Sequence, residues 1–260
     1  MKLPRSIGRF LGCCVLLTFW ATVTLAENPK WQYREGGIVR GPTNEHKIAL
    51  EFTAHTFTEG GTTILATLAK HKIKASFFLT GECLWNPDNK KLVQQIVRRG
   101  HYLGPHSDKH PLLCPWDGPK KTLVTKEFFQ SDLKRNLAAI ERFGVKRDAI
   151  KFFIPPYEWY NEEIVAWSME MKIQVCNFTP GTRSTADYTE ESDANYVASQ
   201  LIFDSIVRQE REKGLNGFLL LLHLGVGPKR TDKMYDRLDE LLTVLEGRGY
   251  QFVRVDELLK

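Results

Sequence analysis

The sequence lacks several patterns that would assign it at once to a common class of protein. It contains no Cys-x-x-Cys pair, no low-complexity tract and no repeated motif. No Gly-x-Gly-x-x-Gly follows the first predicted strand, which disfavours a dinucleotide-binding sheet. Beyond the N-terminus, no segment is long and apolar enough to span a bilayer. What remains is an ordinary globular composition, 42% hydrophobic and 26% charged over 260 residues.

A strong excess of positive charge is also missing once the N-terminus is set aside. The formal net charge is +5, and Lys2, Arg5 and Arg9 supply three positive charges within a stretch that holds no acidic residue. Removing residues 1–26 therefore leaves +2. The basicity is mostly that of a targeting segment, and a nucleic-acid partner is not indicated.

Residues 1–26 have the composition of a secretory signal peptide. A basic start precedes a largely apolar stretch over residues 10–26, and Thr24-Leu25-Ala26 is a plausible small-residue cleavage site. We expect cleavage before Glu27 and export to the periplasm or the medium, with no membrane contact beyond this segment. An uncleaved membrane anchor is the alternative, because the apolar run is nearly long enough.

An exported chain would keep three cysteines, Cys83, Cys114 and Cys176, which is an odd number. A Cys83–Cys114 disulfide is one interpretation, because both residues follow predicted strands. Buried free thiols are the other, and the one we favour.

Strand-like and helical segments alternate about seven times between residues 47 and 255. Thr125, for example, is predicted to cap a long helix that ends near Gly144. Wholly apolar strands such as residues 218–222 are typical of a parallel sheet covered on both faces. The pattern predicts one α/β domain, a closed or nearly closed barrel over residues 46–260, after an irregular lead-in over residues 27–45. A doubly wound open sheet is the alternative fold.

Four histidines follow predicted strands and should meet at one rim of such a barrel. His106 and His110 have the spacing of one helical turn, and we expect that turn to aim both rings at one divalent cation, most suitably zinc. His55 ends the first predicted strand and His223 the sixth. Considered alone, His223 would be interpreted as a hydrogen-bonded histidine of the core. Its predicted position on the shared rim favours a role in the functional site instead.

Five motifs follow one another along the chain, namely Ile48-Ala49-Leu50-Glu51-Phe52, Ala75-Ser76-Phe77-Phe78-Leu79-Thr80-Gly81, His106-Ser107-x-x-His110, Pro155-Pro156-Tyr157 and Leu220-Leu221-Leu222-His223. Their order, over residues 46–259, is similar to that of the NodB-homology polysaccharide deacetylases, carbohydrate esterase family four. The resemblance implies a distorted (β/α)7 barrel in a single domain, one divalent metal, and hydrolysis of N- or O-acetyl groups on a polysaccharide or oligosaccharide. It also implies metal ligation by His106 and His110 and a general-acid role for His223.

The first motif departs from the family pattern. Where the family has Thr-Phe-Asp-Asp-Gly, with a general base and a metal ligand, this chain has Glu51-Phe52-Thr53-Ala54-His55. Aligned without a gap, both aspartates are lost; with a one-residue shift, which we favour, His55 becomes the third ligand. The usual base is absent either way.

The fourth motif departs as well. Ile154 replaces the family's arginine, and Glu158 replaces a glycine and is our candidate for a substitute base, ahead of Glu59 and Asp108. Asp187-Tyr188 resembles the family's Asp-Trp pair that charges the acid histidine. Tyr157 and Trp159 are expected to stack on sugar rings.

Two functions therefore stay open from the sequence. The first is an exported, metal-dependent carbohydrate deacetylase, and the second is a catalytically weak or inactive barrel of this type that binds carbohydrate. A metal-dependent amidohydrolase would need a His-x-His on the first strand, which is absent.

Overall fold

The computed structural model describes residue 28 and residues 30–260, so the predicted signal peptide lies outside the described residues. The strands are β1 Gln32–Arg34, β2 Gly37–Arg40, β3 Lys47–Ala54, β4 Ser76–Leu79, β5 Tyr102–Pro105, β6 Phe152–Phe153, β7 Gln174–Val175, β8 Phe218–His223 and β9 Gln251–Val253. The α-helices are α1 Gly61–Lys70, α2 Gly81–Trp85, α3 Lys90–Arg98, α4 Lys126–Glu141, α5 Glu162–Glu170, α6 Ser199–Lys213, α7 Leu238–Glu246 and α8 Val255–Leu258. Within this described part, no helix has the length and apolarity needed to cross a bilayer.

Strand β3 is the centre of the main sheet. It pairs in parallel with β8 on one edge, and on the other edge with β9 and then β4. Strand β4 pairs in parallel with β5, and β6 pairs in parallel with β7. The strands from β3 to β9 thus pair in parallel within two sheets and are separated by helices, as the alternation in the sequence predicts.

A few hydrogen bonds close the remaining gaps between strands. The Ile154 N–H donates to the Pro105 carbonyl at 3.3 Å, which joins β6 to β5. The Thr179 N–H donates to the Leu219 carbonyl at 2.9 Å, which joins the end of β7 to β8. These sparse links curl the sheet into an irregular barrel, so the expected single-domain, distorted (β/α)7 fold is confirmed.

Alternation of side chains along each strand separates two apolar layers. Phe52 and Leu220 point outward and are fully buried beneath the helices, whereas Ala49, Leu219 and Leu221 fill the barrel interior. Burying a leucine or phenylalanine side chain fully is worth about 1.5–3 kcal/mol. Continuous apolar strands are the consequence, because both faces of the sheet are covered.

The lead-in is more regular than the sequence predicts. Strands β1 and β2 form an antiparallel hairpin whose two-residue turn, Glu35-Gly36, has φ values of 48° and 77°. Such turns match the twist of the flanking strands, so Gly36 closes a hairpin within the lead-in that the sequence predicts to be irregular. Ile38 of β2 is 2% exposed within the barrel interior and bridges to Cys176. Strand β2 therefore belongs to the main sheet, where it pairs antiparallel with β8 at Arg40 and Phe218 and also bridges to the residue after β7.

All three cysteines of the described chain, Cys83, Cys114 and Cys176, are buried and free. The interpretation as buried thiols is confirmed, and the Cys83–Cys114 disulfide is not formed.

Candidate functional site

A cleft of about 510 Å³ opens at the carboxyl ends of β3, β5 and β8. Its lining brings together most of the side chains that the sequence singled out, namely His55, His106, His110, Tyr157, Glu158 and His223. Parallel strands present their carboxyl ends at one rim, which is why residues far apart in the chain meet here.

His106 follows β5 and is held from two sides. Its N–H donates to the Asn136 side-chain carbonyl at 2.8 Å, and its Nδ1 donates to the Ile154 carbonyl at 2.7 Å. The proton on Nδ1 leaves Nε2 with a lone pair. Burial lowers the pKa of His106 to about 3, so the ring is neutral at physiological pH.

His110 does not lie on a helical turn with His106, and that prediction is wrong. The segment is a bend in which Ser107 and His110 have φ values of 70° and 54°, and the Ser107 hydroxyl accepts the His110 N–H at 2.9 Å. The bend still brings the Nε2 atoms of His106 and His110 to 3.3 Å. Burial also lowers the pKa of His110, to about 2, which keeps this ring neutral.

The residues that anchor this bend are not among those predicted from the sequence. The Asp132 carboxylate on α4 accepts the N–H groups of Asp108 and Lys109 at 2.7 and 3.1 Å. Arg135, one turn further along α4, pairs with Asp108 at 2.9 Å. Asp132 is 2% exposed, and a charged residue on the buried face of a helix was the available signal.

His55 lies directly after β3 and stacks on His110, with ring centroids 4.7 Å apart and planes 7° from parallel. Its Nδ1 is 3.3 Å from the Thr80 hydroxyl, and its Nε2 is 3.7 Å from the Glu82 carboxylate. The ring therefore offers His110 its face, and its nitrogens are directed toward the N-terminal turn of α2. Strand β3 pairs without a bulge up to this point.

The family implied by the motifs uses a divalent metal, and the histidine pair can be tested for its fit to one. Two nitrogens bound to tetrahedral zinc at about 2.0–2.1 Å lie about 3.3–3.4 Å apart. The 3.3 Å between the Nε2 atoms of His106 and His110 matches that spacing. Among the described residues no group of three or more His, Cys, Asp or Glu converges on one point. The pair thus fits two positions of a zinc-type ion, whereas the two nitrogens of His55 face the Thr80 hydroxyl and the Glu82 carboxylate.

His223, at the end of β8, faces the pair from the opposite wall. Its Nδ1 donates to the Asp187 carboxylate at 2.6 Å, and its backbone N–H donates to the same carboxylate at 2.8 Å. Burial alone would lower the pKa of His223, but the charge and hydrogen bond of Asp187 outweigh it and raise the pKa above its ordinary value. The proton on Nδ1 leaves Nε2 as the atom that exchanges protons with the cleft.

Glu158 enters the cleft from an unusual backbone. Tyr157 and Glu158 have φ values of 60° and 54°, a left-handed conformation that costs non-glycine residues about 1–3 kcal/mol each. The Asn177 side chain donates to the Glu158 carbonyl at 2.8 Å and holds this bend. Burial and the Asp187 carboxylate raise the pKa of Glu158 to about 7, although His223 opposes them. The Glu158 carboxyl is therefore poised between its two forms near neutral pH.

Aromatic side chains surround the entrance. Tyr157, Trp116 and Tyr188 are 45%, 56% and 50% exposed around the cleft. Trp159 lies beside Trp116 and is fixed by a hydrogen bond from its indole N–H to the Pro115 carbonyl at 3.0 Å. Flat, exposed and fixed rings of this kind can stack on the faces of sugars.

Glu51 is a buried carboxyl whose position the sequence did not reveal. It is 0% exposed on the inner face of β3, two residues below Thr53 in the floor of the cleft. Neither carboxylate oxygen of Glu51 nor the Thr53 hydroxyl has a hydrogen-bond partner in the described chain. Burial first, and then the charge of Glu158, raise the pKa of Glu51 to about 8. A buried carboxyl without a partner is expected to stay protonated.

Comparison with known families decides the identity of this barrel. A model described as polysaccharide deacetylase matches residues 40–176, more than half of the chain. The chain belongs to the polysaccharide deacetylase family. The resemblance drawn from the five motifs is thereby confirmed.

The similar proteins include enzymes that act on peptidoglycan. A peptidoglycan-N-acetylglucosamine deacetylase of Bacillus cereus is 24% identical over 232 residues, which cover 88% of this chain and 74% of the relative. The deacetylase PgdA of Listeria monocytogenes is 26% identical over 85% of this chain, which spans only 40% of that longer relative.

Solved structures support the fold of this polysaccharide deacetylase family member. Bacillus subtilis PdaA, a family 4 carbohydrate esterase, superposes with a TM-score of 0.68 at 23% identity, covering 86% of this chain and 85% of PdaA. A family 4 pseudoenzyme from Bacillus anthracis superposes with a TM-score of 0.67 at 22% identity, covering 88% of this chain and 70% of that one. At these identities the likeness concerns the (β/α)7 barrel.

Proposed function

We propose that this chain removes acetyl groups, linked through nitrogen or oxygen, from an acetylated polysaccharide or oligosaccharide. The observation that carries the proposal is the His223–Asp187 pair at 2.6 Å, which faces the His106–His110 pair across one cleft. A half-buried histidine whose pKa is raised by a neighbouring carboxylate is typical of sites that transfer protons, because perturbed titratable groups cluster there.

In this proposal His223 is the general acid. Asp187 keeps the ring oriented and favours its charged form, and Nε2 protonates the leaving amine or alkoxide as the acetyl group departs. The alkaline limb of activity should follow the pKa of His223, because the acid is lost as the pH rises through that value.

One divalent metal, most suitably zinc, would be held by His106 and His110, with His55 as the third ligand. When bound, such an ion polarises the acetyl carbonyl and the attacking water. The two neutral rings are prepared for ligation, because metal binding requires an unprotonated imidazole nitrogen.

Glu158 is our candidate for the general base. Its carboxyl lines the cleft, and a pKa of about 7 is close to the value at which a base combines availability with strength. Tyr157 and Trp159 are proposed to stack on the sugar. We further propose that residues 1–26 direct export to the periplasm or the medium, and that residues 46–260 form the deacetylase domain.

A second candidate, a barrel that binds glycan with little or no turnover, is favoured by the first motif. Thr53 and Ala54 stand where an ungapped alignment expects two carboxylates, and neither side chain can bind a metal or accept a proton as a carboxylate does. The pseudoenzyme among the structural neighbours is consistent with this alternative.

Acetate release separates the two functions. The zinc-loaded protein should release acetate from acetylated xylan or acetylated chito-oligosaccharide, and His223→Ala should reduce the rate by about 10²–10⁴-fold. His46→Ala, which removes an exposed histidine from the opposite end of β3, is the matched control. If wild type and His223→Ala bind the glycan equally and neither releases acetate, the second candidate replaces the first.

A further inference from the structure

A second hollow, of about 310 Å³, opens beside the cleft and shares Tyr157, Glu158 and Tyr188 as a common wall. We call it the basic groove and define it by Arg34, Lys120, Trp159, Asn177 and Arg183, which line it. None of the acid, base or metal roles proposed above uses its charges. The two hollows are adjacent, because they share these three lining residues. A chain of sugars bound in the cleft would therefore reach the basic groove.

The groove holds positive charge that the protein itself does not neutralise. Most arginines of the described chain donate hydrogen bonds, form ion pairs or stack on rings. The side chains of four arginines in the described part do none of these. Arg34 and Arg183 line this one groove, and Arg208 and Arg211 lie on α6. Arg34 and Arg183 are both exposed, so their guanidinium groups are available to a ligand.

Lys120 has a different role in the same groove. Its ammonium is 2.8 Å from the Glu35 carboxylate and lies 3.4 Å from the centre of the Trp159 ring. These contacts neutralise the lysine and fix the aromatic wall. The uncompensated charge of the groove therefore belongs to the two arginines.

The acidic residues that line the basic groove, Glu35 and Glu158, offer little negative charge to compete with an anionic ligand. Glu35 is already paired with Lys120, and the carboxyl of Glu158 is only partly ionised near neutral pH because burial raises its pKa to about 7. A fixed aromatic face beside two unpaired guanidinium groups suits a sugar ring that carries an anionic substituent. Guanidinium groups match a carboxylate particularly well, because they donate two parallel hydrogen bonds to its two oxygens.

We propose that the basic groove binds a sugar residue bearing a carboxylate, adjacent to the acetylated residue in the cleft, through Arg34 and Arg183. This inference rests on the proposed function and narrows its substrate to an acidic acetylated glycan. The carboxylate could belong to a uronic acid or to the lactyl ether of a muramyl residue, which present the same group to the protein.

The test compares three glycans of similar length. They are acetylated chito-oligosaccharide, which is neutral, acetylated glucuronoxylan oligosaccharide, which carries a uronic acid, and a peptidoglycan oligosaccharide, which carries the lactyl carboxylate. Wild type should show a lower KM for at least one acidic glycan than for the neutral one, and the acidic glycan preferred identifies the source. Arg34→Gln and Arg183→Gln should each raise that KM about 3–10-fold with kcat unchanged, because a charged but solvent-exposed contact is lost.

Several controls keep the result specific. Arg208→Gln removes an exposed arginine of α6 whose side chain has no partner in the described chain. It should leave the KM values for the neutral and the acidic glycans unchanged. The KM for the neutral glycan should be the same in wild type and in all variants. Added salt should raise the KM only for the acidic glycan. Arg183→Glu should lower the affinity for the acidic glycan further than Arg183→Gln.

The outcomes separate the inference from the function on which it rests. Equal losses for neutral and acidic glycans would assign the arginines a structural role and overturn the inference. An acidic KM unchanged in both single variants, or no preference in wild type, would overturn it while leaving deacetylation intact. Absence of both binding and acetate release for every glycan would remove the proposed function itself.

Discussion

Glu51→Gln should change the pH dependence of stability in a direction that the structure fixes. The Glu51 carboxyl is fully buried in the barrel, and neither of its oxygens has a hydrogen-bond partner among the described residues. Burial, followed by the charge of Glu158, raises its pKa from 4.5 to about 8. The folded chain therefore holds this proton over a pH range in which the unfolded chain releases it.

The size of the effect follows from that difference. The stability that this group contributes is fully present below pH 4.5 and is lost as the pH rises toward 8, at about 1.4 kcal/mol per pH unit. Between pH 5 and pH 8 wild type should lose about 3–4 kcal/mol through Glu51. Glutamine has nearly the same shape and does not titrate, so the variant should gain that amount relative to wild type over the same interval.

Urea denaturation at pH 5, 6.5 and 8 measures this directly. The difference in unfolding free energy between Glu51→Gln and wild type should grow steadily with pH, whereas Glu212→Gln, which removes an exposed carboxylate from α6, should not reproduce that growth. A difference that is the same at pH 5 and pH 8 would refute the account of Glu51 as a neutral carboxyl trapped in the barrel.

Three further predictions concern the site and the N-terminus. His106→Ala should weaken zinc binding, measured by competition with a chelator, by at least about 10–100-fold, which is the loss that removing a residue supporting a ligand already causes. If His55 is the third ligand, His55→Ala should weaken zinc binding about as much, and His55→Asp should restore it. Asp187→Asn should move the alkaline limb of acetate release to lower pH, because it removes the charge that raises the pKa of His223; an unmoved limb would exclude His223 as the acid. Mass spectrometry of exported protein should find an N-terminus near residue 27, and retention of residues 1–26 would favour an anchor instead.

The barrel was predictable because its elements follow local rules. The range of β3 agrees with the β-like segment predicted over residues 47–54. The Thr125 hydroxyl accepts the Phe128 N–H at the start of α4, as a cap should. Alternating apolar strands and amphipathic helices leave few arrangements other than parallel strands beneath crossover helices. The positions of the histidines directly after predicted strands were then enough to predict that they lie at one rim, although their contacts were not predicted.

Features set by long-range packing were not predictable in the same way. The spacing of His106 and His110 suggests a helical turn, but anchoring by Asp132, which lies on a different element, produces a bend. Glu51 interrupts an apolar run, and nothing local shows that its side chain turns into the barrel, because that depends on which face β4 and β8 leave inside. The hairpin of β1 and β2 depends likewise on pairing with β8 and Cys176, which lie far from the lead-in along the chain.

Zinc titration monitored by acetate release tests the central claim most directly. Metal-free protein should be inactive on an acetylated glycan, and activity should rise to a plateau at one zinc per chain, with His106→Ala needing more zinc to reach it. Stoichiometric zinc binding with no acetate released from any acetylated glycan, at any pH between about 6 and 9, would contradict the claim that this cleft is a deacetylase site.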